Sequence, residues 1–366
     1  MNILILSCNT GEGHNAAGRA ILHELQRRHI PCEMADALHF AGDRVSRRIS
    51  SSYTAITTRA PTVFRAMYRA GDFISSSRHK SPVYLLNRLY QGAVLDYIRA
   101  HRITCVVMPH LFPAQTLTAL RHEHGLTIPT LAVATDYTCI PFWEETEMDR
   151  YVIPHPALAQ EFIAKGIPAD KLLPYGIPVE RAVFEKEDRA QARAALGLAP
   201  DRPVFLIMSG SMGYGDLLAL VSSYSGEAQL VVLCGRNEKL RRSLSALRRD
   251  AVLVPFTQEV PRYLSAADVL FTKPGGLTST EAAVHNIPLV HTAPIPGCET
   301  RNAEFFASRG LSLFGKSAQE ALEAADTLLH DAVLRERMLS AQRAEINPHA
   351  CEQICNWIVA HAEGRA

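Results

Sequence analysis

The sequence predicts an α/β fold of two doubly wound, Rossmann-like domains facing each other across a cleft. Three observations predict it. The N-terminus reads as strand, glycine-rich turn and helix. Beyond about residue 200 the same scheme returns, with short apolar runs separated by helical patterns. A second glycine turn, Gly275-Gly276, again joins an apolar run to a helix. The expected boundaries are 1–178 for the first domain and 179–345 for the second. A C-terminal helix over 346–366 is expected to pack back on the first.

At 366 residues the chain is long enough for two or three domains with real cores. Its net charge of +1 gives no global attraction to nucleic acid, so any basic surface is local. Eight scattered cysteines without a Cys-x-x-Cys pair point to reduced thiols in the cytoplasm. No apolar run approaches the ~18 residues that span a bilayer.

In chain order, Ile3–Leu6 is a buried strand, and Gly11-Glu12-Gly13-His14 turns into a helix striped by Ala17, Ile21 and Leu25. The turn matches G-x-G-x-x-A through Ala16, and Asp36 stands at the end of the next strand, so a dinucleotide-binding reading is open. His14 falls where the helix start meets the crevice at the strand ends. It serves there either as a simple cap or as a proton acceptor, since an imidazole titrates near ~6.5.

From Arg44 to Arg88, nine basic residues stand against Asp72 alone, interleaved with aromatics and leucines. Such a run is either a solvated face or a basic amphipathic surface for anionic lipid. Strands follow at 105–108 and 130–133, with a helix at 113–122 between them. Thr135-Asp136-Tyr137 closes the second strand at the edge that carries His14, and Trp143 lies beside the same crevice. A further strand enters at Asp149–Ile153.

In the second half, strands are expected at 204–208, 230–233, 252–254, 269–271 and 289–291. Ser211-Met212-Gly213 lies in the turn after the first of these. Lys273-Pro274-Gly275-Gly276 follows the fourth and opens a helix. Backbone N–H groups at such a turn suit a phosphate, with Glu281 one turn on, facing a ribose. Thr278-x-x-Glu281 is equally a capping box, and both readings stand.

In this order the motifs resemble those of the processive diacylglycerol glucosyltransferases of bacteria and the monogalactosyldiacylglycerol synthases of plants. Both are relatives of the lipid II N-acetylglucosaminyltransferase with the GT-B fold. The resemblance runs through Thr10–His14, Thr135–Trp143, Asp149–Tyr151, Tyr175–Pro178, Cys234–Asn237, Pro274–Glu281 and Pro296–Ala303. It implies an inverting transfer of hexose from a UDP-sugar to a diacylglycerol-type lipid, by a protein peripheral on the cytoplasmic face of an anionic membrane. It implies His14 as base, with Asp136 as rival base or orienting group. Gly13, Ser211, Met212, Gly213, Gly275, Gly276 and Thr278 would line the donor. Glu281 would hold the ribose, the backbone near Phe256 would read the uracil, and Glu299 and Asn302 would lie by the hexose. Independently of the resemblance, the basic segment sets Arg65, Arg69 and Lys80 at the membrane, and its place beside the crevice sets Trp143 by the acceptor. With no Asp-x-Asp pair in the sequence, no metal or other cofactor is expected. One departure is Cys298, where the family commonly carries glutamine, and a thiol is a weak partner for a sugar hydroxyl.

Three other readings remain open at this point. A relative could act on a polyprenyl-linked acceptor. A nicotinamide-dependent oxidoreductase would use Gly11, Gly13, Ala16 and Asp36. A non-catalytic lipid-surface protein would rest on the basic segment alone.

Overall fold

The computed structural model describes residues 1–9, 11–42, 44, 46, 80–208 and 217–362. It contains two compact units. The first is Met1–Glu180 with Pro296–Cys298 and Pro348–Ala366; the second is Arg181–Ile295 with Glu299–Asn347.

The first unit is built on a six-stranded parallel sheet of β1 (Ile3–Ser7), β2 (Cys32–Asp36), β3 (Cys105–Met108), β4 (Thr130–Val133), β5 (Arg150–Val152) and β6 (Leu172–Leu173). Their spatial order is β2-β1-β3-β4-β5-β6. β1, β3 and β4 are buried along their whole length, as parallel strands covered on both faces require. Helix α1 (Glu12–Arg27) lies close on the sheet at Gly18. A Cβ there would meet Met34 Cε at 3.0 Å and Ile5 Cγ2 at 3.3 Å. The chain reverses its direction of travel across the sheet between β1 and β3, which makes the loops after these strands the natural ligand crevice.

Helix α2 (Pro82–Arg88) starts with Ser81 as N-cap, its Oγ accepting from Tyr84 N, and with proline at the first position. Ser81 Oγ donates to the buried carboxylate of Glu145 at 2.7 Å. Gln115 of α3 (Leu111–His124) donates to the same oxygen, also at 2.7 Å. This polar network fixes the inner face of α2 and leaves Leu85, Leu86 and Leu89 outward, at 52%, 61% and 80% exposure. The C-terminal helix Ala350–Ala362 buries Ile354, Cys355 and Ile358 in the same core as Ile21 and Leu25 of α1.

The second unit carries β7 (Val204–Met208), β8 (Gln229–Gly235), β9 (Val252–Pro255), β10 (Val269–Thr272), β11 (Leu289–His291) and β12 (Leu313–Phe314). The parallel order β12-β11-β10-β7-β8-β9 is the 3-2-1-4-5-6 arrangement of dinucleotide-binding folds, with its reversal between β7 and β10. The glycine turn Gly275-Gly276 therefore follows β10, one of the two central strands. The two-residue strands β6 and β12 had no sequence signal, because two residues are too few to show a period.

Helix α4 (Gly276–His285) begins at β10's turn and ends on Asn286, whose left-handed φ of 57° is the conformation asparagine tolerates at a helix end. Helix α5 (Cys298–Ser308) follows β11, and α6 (Ala332–Glu345) backs α4. Asn286 Nδ2 donates to the Leu339 carbonyl of α6 at 2.8 Å.

Candidate active site

In the first unit the site is assembled at the β1/β3 reversal. The loop after β1 is held by a chain of amides: Ser7 Oγ donates to Asn15, Asn15 Nδ2 to Asn9, and Asn9 Nδ2 to Asp36, at 2.7, 2.8 and 2.9 Å. His14 stands just beyond, in the first turn of α1. Its Nδ1 lies 3.0 Å from the Pro109 carbonyl, just past β3, and 2.7 Å from Thr135 Oγ1, just past β4. A carbonyl oxygen only accepts, so Nδ1 carries the hydrogen and Nε2 keeps its lone pair. Burial holds the His14 pKa below its ordinary value of 6.5, and the charge on Asp136 pulls it partly back up. The neutral, proton-accepting form is thus the resting form at neutral pH.

His110 packs edge-to-face on His14 with ring centroids 4.5 Å apart. It is the N-cap of α3, and its Nδ1 accepts from Phe112 N at 3.0 Å, so its proton sits on Nε2. Burial and the neighbouring His14 push its pKa well below 6.5, which keeps a second positive charge away from His14. His110 was not singled out in the sequence, and Thr135 was noted there only as closing its strand at the edge that carries His14. The signal available was a polar residue directly after a buried strand, a pattern too common to stand out.

Asp36 takes a different role from the one a dinucleotide reading gives it. Its carboxylate caps the short 3-10 helix Ala37–Ala41 through Leu38 N at 3.1 Å and also accepts from Asn9 and Ser46. With those oxygens engaged, the nicotinamide reading loses its ribose contact. The close helix–sheet approach also falls at Gly18, not at Ala16 of the G-x-G-x-x-A match.

In the second unit, Gly275 is the N-cap of α4, and no side chain caps the helix. Thr278 lies inside the first turn, so the capping-box reading of Thr278-x-x-Glu281 is corrected: a capping box needs its threonine outside the helix. Gly275 has an ordinary φ of −72°, and a Cβ added there would meet nothing within 4 Å. Its missing side chain therefore opens space in front of the turn, as an approaching anion needs. Thr278 and Glu281 are both half-buried on α4.

Glu299 and Asn302, one turn apart on α5, hold this turn. Glu299 pairs with Lys273 and accepts from Ile295 N at 2.8 Å. Asn302 Nδ2 donates to the Pro274 carbonyl at 3.0 Å. Phe256, after β9, is 46% exposed, with the Arg236 guanidinium 4.8 Å over its ring.

A family model described as monogalactosyldiacylglycerol (MGDG) synthase matches residues 14–179. A processive diacylglycerol beta-glucosyltransferase of Bacillus pumilus is 26% identical over 370 residues, covering 99% of this chain and 95% of that one. The chain is a relative of the diacylglycerol glycosyltransferases. Another such relative, from Staphylococcus saprophyticus, is 29% identical over 251 residues, which span 67% of this chain and just 64% of that protein. Among solved structures, MurG of Acinetobacter baumannii matches with a TM-score of 0.63 at 16% identity, covering 98% of this chain and 99% of that one. HepE of Anabaena in complex with UDP-glucose matches at 0.59 and 12% identity, over 98% and 99%. The fold is GT-B.

The remaining positions expected from the sequence fall as follows. Gly13 lies in the first turn of α1, one residue before His14. Ser211, Met212 and Gly213, and the basic Arg65 and Arg69, lie outside the described residues. Lys80 is exposed, donates to the Glu145 carbonyl at 2.9 Å and lies 4.5 Å over the Tyr84 ring. Trp143, placed beside the crevice from sequence, is 3% exposed and packs edge-to-face with Tyr151. Its bulk fills the core of the first unit, and it presents almost no surface to an acceptor.

Proposed function

We propose that the protein is an inverting glycosyltransferase that moves a hexose from a UDP-sugar to the hydroxyl of a diacylglycerol-type lipid. The observation that carries this reading is the fixed tautomer of His14, whose Nε2 lone pair stands at the reversal point of the first sheet. Relatives named for diacylglycerol glucosyl transfer supply the substrate class.

In this reading the acceptor hydroxyl gives its proton to His14 Nε2 as its oxygen attacks the anomeric carbon from the face opposite UDP. Asp136 steadies the resulting imidazolium, the direction in which its charge already acts on His14. The leaving diphosphate gains charge, and N–H groups at the start of α4 are already aimed to take it without reorganising. Glu281 accepts from the ribose hydroxyls. No metal is assigned a part.

A diacylglycerol acceptor stays in its bilayer, since each acyl CH₂ brought into water costs about 0.8 kcal/mol. Among the described residues no helix is long and apolar enough to cross a membrane. We assign reversible docking on the anionic cytoplasmic surface to α2, where Leu85, Leu86 and Leu89 face outward beside Lys80 and Arg88.

The deciding experiment offers UDP-glucose, UDP-galactose and UDP-N-acetylglucosamine with diacylglycerol or a polyprenyl diphosphate lipid. Products are read by mass spectrometry and the anomer by NMR. A β-linked hexosyl-diacylglycerol from an α-linked donor is expected. Transfer to the polyprenyl lipid alone overturns the acceptor assignment.

A further inference from the structure

Lys273 is the last residue of β10's exit and the first of the glycine turn. Its ammonium is paired with Glu299, which is 7% exposed, while the Lys273 side chain retains 23% of its exposure. The second Glu299 oxygen is fixed by Ile295 N, and Asn302 on the same helix face grips Pro274. One helix turn of α5 thus holds a lysine beside the open space at Gly275 and neutralises it at the same time.

We propose that Lys273 is the cation that binds the donor diphosphate, and that Glu299 stands in for that anion when no donor is bound. This rests on the UDP-sugar reading above and adds a residue and an exchange to it. A diphosphate carries more negative charge than one carboxylate, so at a shared ammonium it competes favourably. Lys273 has a four-carbon stem and rotatable donors, which suits a change of partner better than a rigid guanidinium would. The exchange leaves Glu299 Oε1 as an acceptor for a hydroxyl of the donor sugar, coupling diphosphate capture to hexose contact. Breaking a buried pair without replacing one charge is costly, so the exchange occurs with diphosphate and not with a neutral nucleoside.

The test is calorimetric titration of UDP and of uridine into wild type, Lys273→Met, Lys273→Arg and Glu299→Gln, each checked for an unchanged melting profile. Lys273→Met is expected to weaken UDP by about ten-fold or more and to leave uridine within about two-fold. Lys273→Arg retains most of the UDP affinity. Glu299→Gln, which removes the competing charge, is expected to tighten UDP by about three-fold or more while slowing transfer. Equal losses for UDP and uridine in Lys273→Met, no loss for either, or weaker UDP binding in Glu299→Gln each overturn the exchange. Failure of uridine and UDP to bind wild type overturns the nucleotide reading beneath it.

Discussion

His14 Nδ1 lies 3.0 Å from the carbonyl oxygen of Pro109, ninety-five positions away in the chain. That contact fixes which imidazole nitrogen can accept a proton, and it forms because β1 and β3 are neighbours at the sheet's reversal.

His14→Ala should reduce turnover by on the order of 10²–10⁴ while leaving UDP affinity nearly intact, because the proton moves only in the transition state. Paired activity assays and calorimetry check this. If Asp136→Asn is crippling and His14→Ala mild, the two roles are reversed.

The acid limb of kcat/KM should lie below the ordinary imidazole value of 6.5, since burial lowers the His14 pKa. Asp136 raises that pKa, so Asp136→Asn should move the limb to still lower pH. A limb that stays in place in the variant removes Asp136 from the account.

Glu281→Ala should weaken UDP by about 1.5–3 kcal/mol, the range for a hydrogen bond to a charged group. Thr278→Ala should shift stability by less than about 0.5 kcal/mol, since the helix starts at Gly275 and Thr278 is no cap. A loss of a full cap's worth on thermal melting would restore the capping-box reading.

Burial holds His291 at about 3 and His285 at about 4 in the folded protein. The unfolded chain binds those protons near 6.5, so stability is complete above that pH and falls as pH drops toward the folded values. Each group contributes a slope of about 1.4 kcal/mol per pH unit in that window. His291→Gln, facing Ser279 and Ser312, should flatten the dependence measured by denaturant melts from pH 7 to 4.5.

Replacing Leu85, Leu86 and Leu89 together by serine should weaken binding to anionic vesicles, each leucine contributing on the order of 1 kcal/mol. Arg65→Glu, Arg69→Glu and Lys80→Glu together should do the same and lessen the salt dependence. UDP binding should survive in both variants. Equal, salt-insensitive affinity for neutral and anionic vesicles would remove the electrostatic part.

The sequence by itself determined the strands, because each central one is an unbroken apolar run, and the turn at Gly275-Gly276, because glycines between an apolar run and a helical pattern mark a strand-to-helix junction. It also determined the family resemblance, which rests on short motifs in a set order. Tertiary structure alone decided what those motifs touch. Asp36, legible as a ribose ligand, caps its own loop, and Trp143, legible as an acceptor contact, fills a core. His110 carried no local signal, and Thr135 and Lys273 were legible as residues at strand ends but not by what they touch; all three meet partners 26 to 121 positions away. Strand order brings such residues together, and strand order follows from how whole sheets pack, which no local period records.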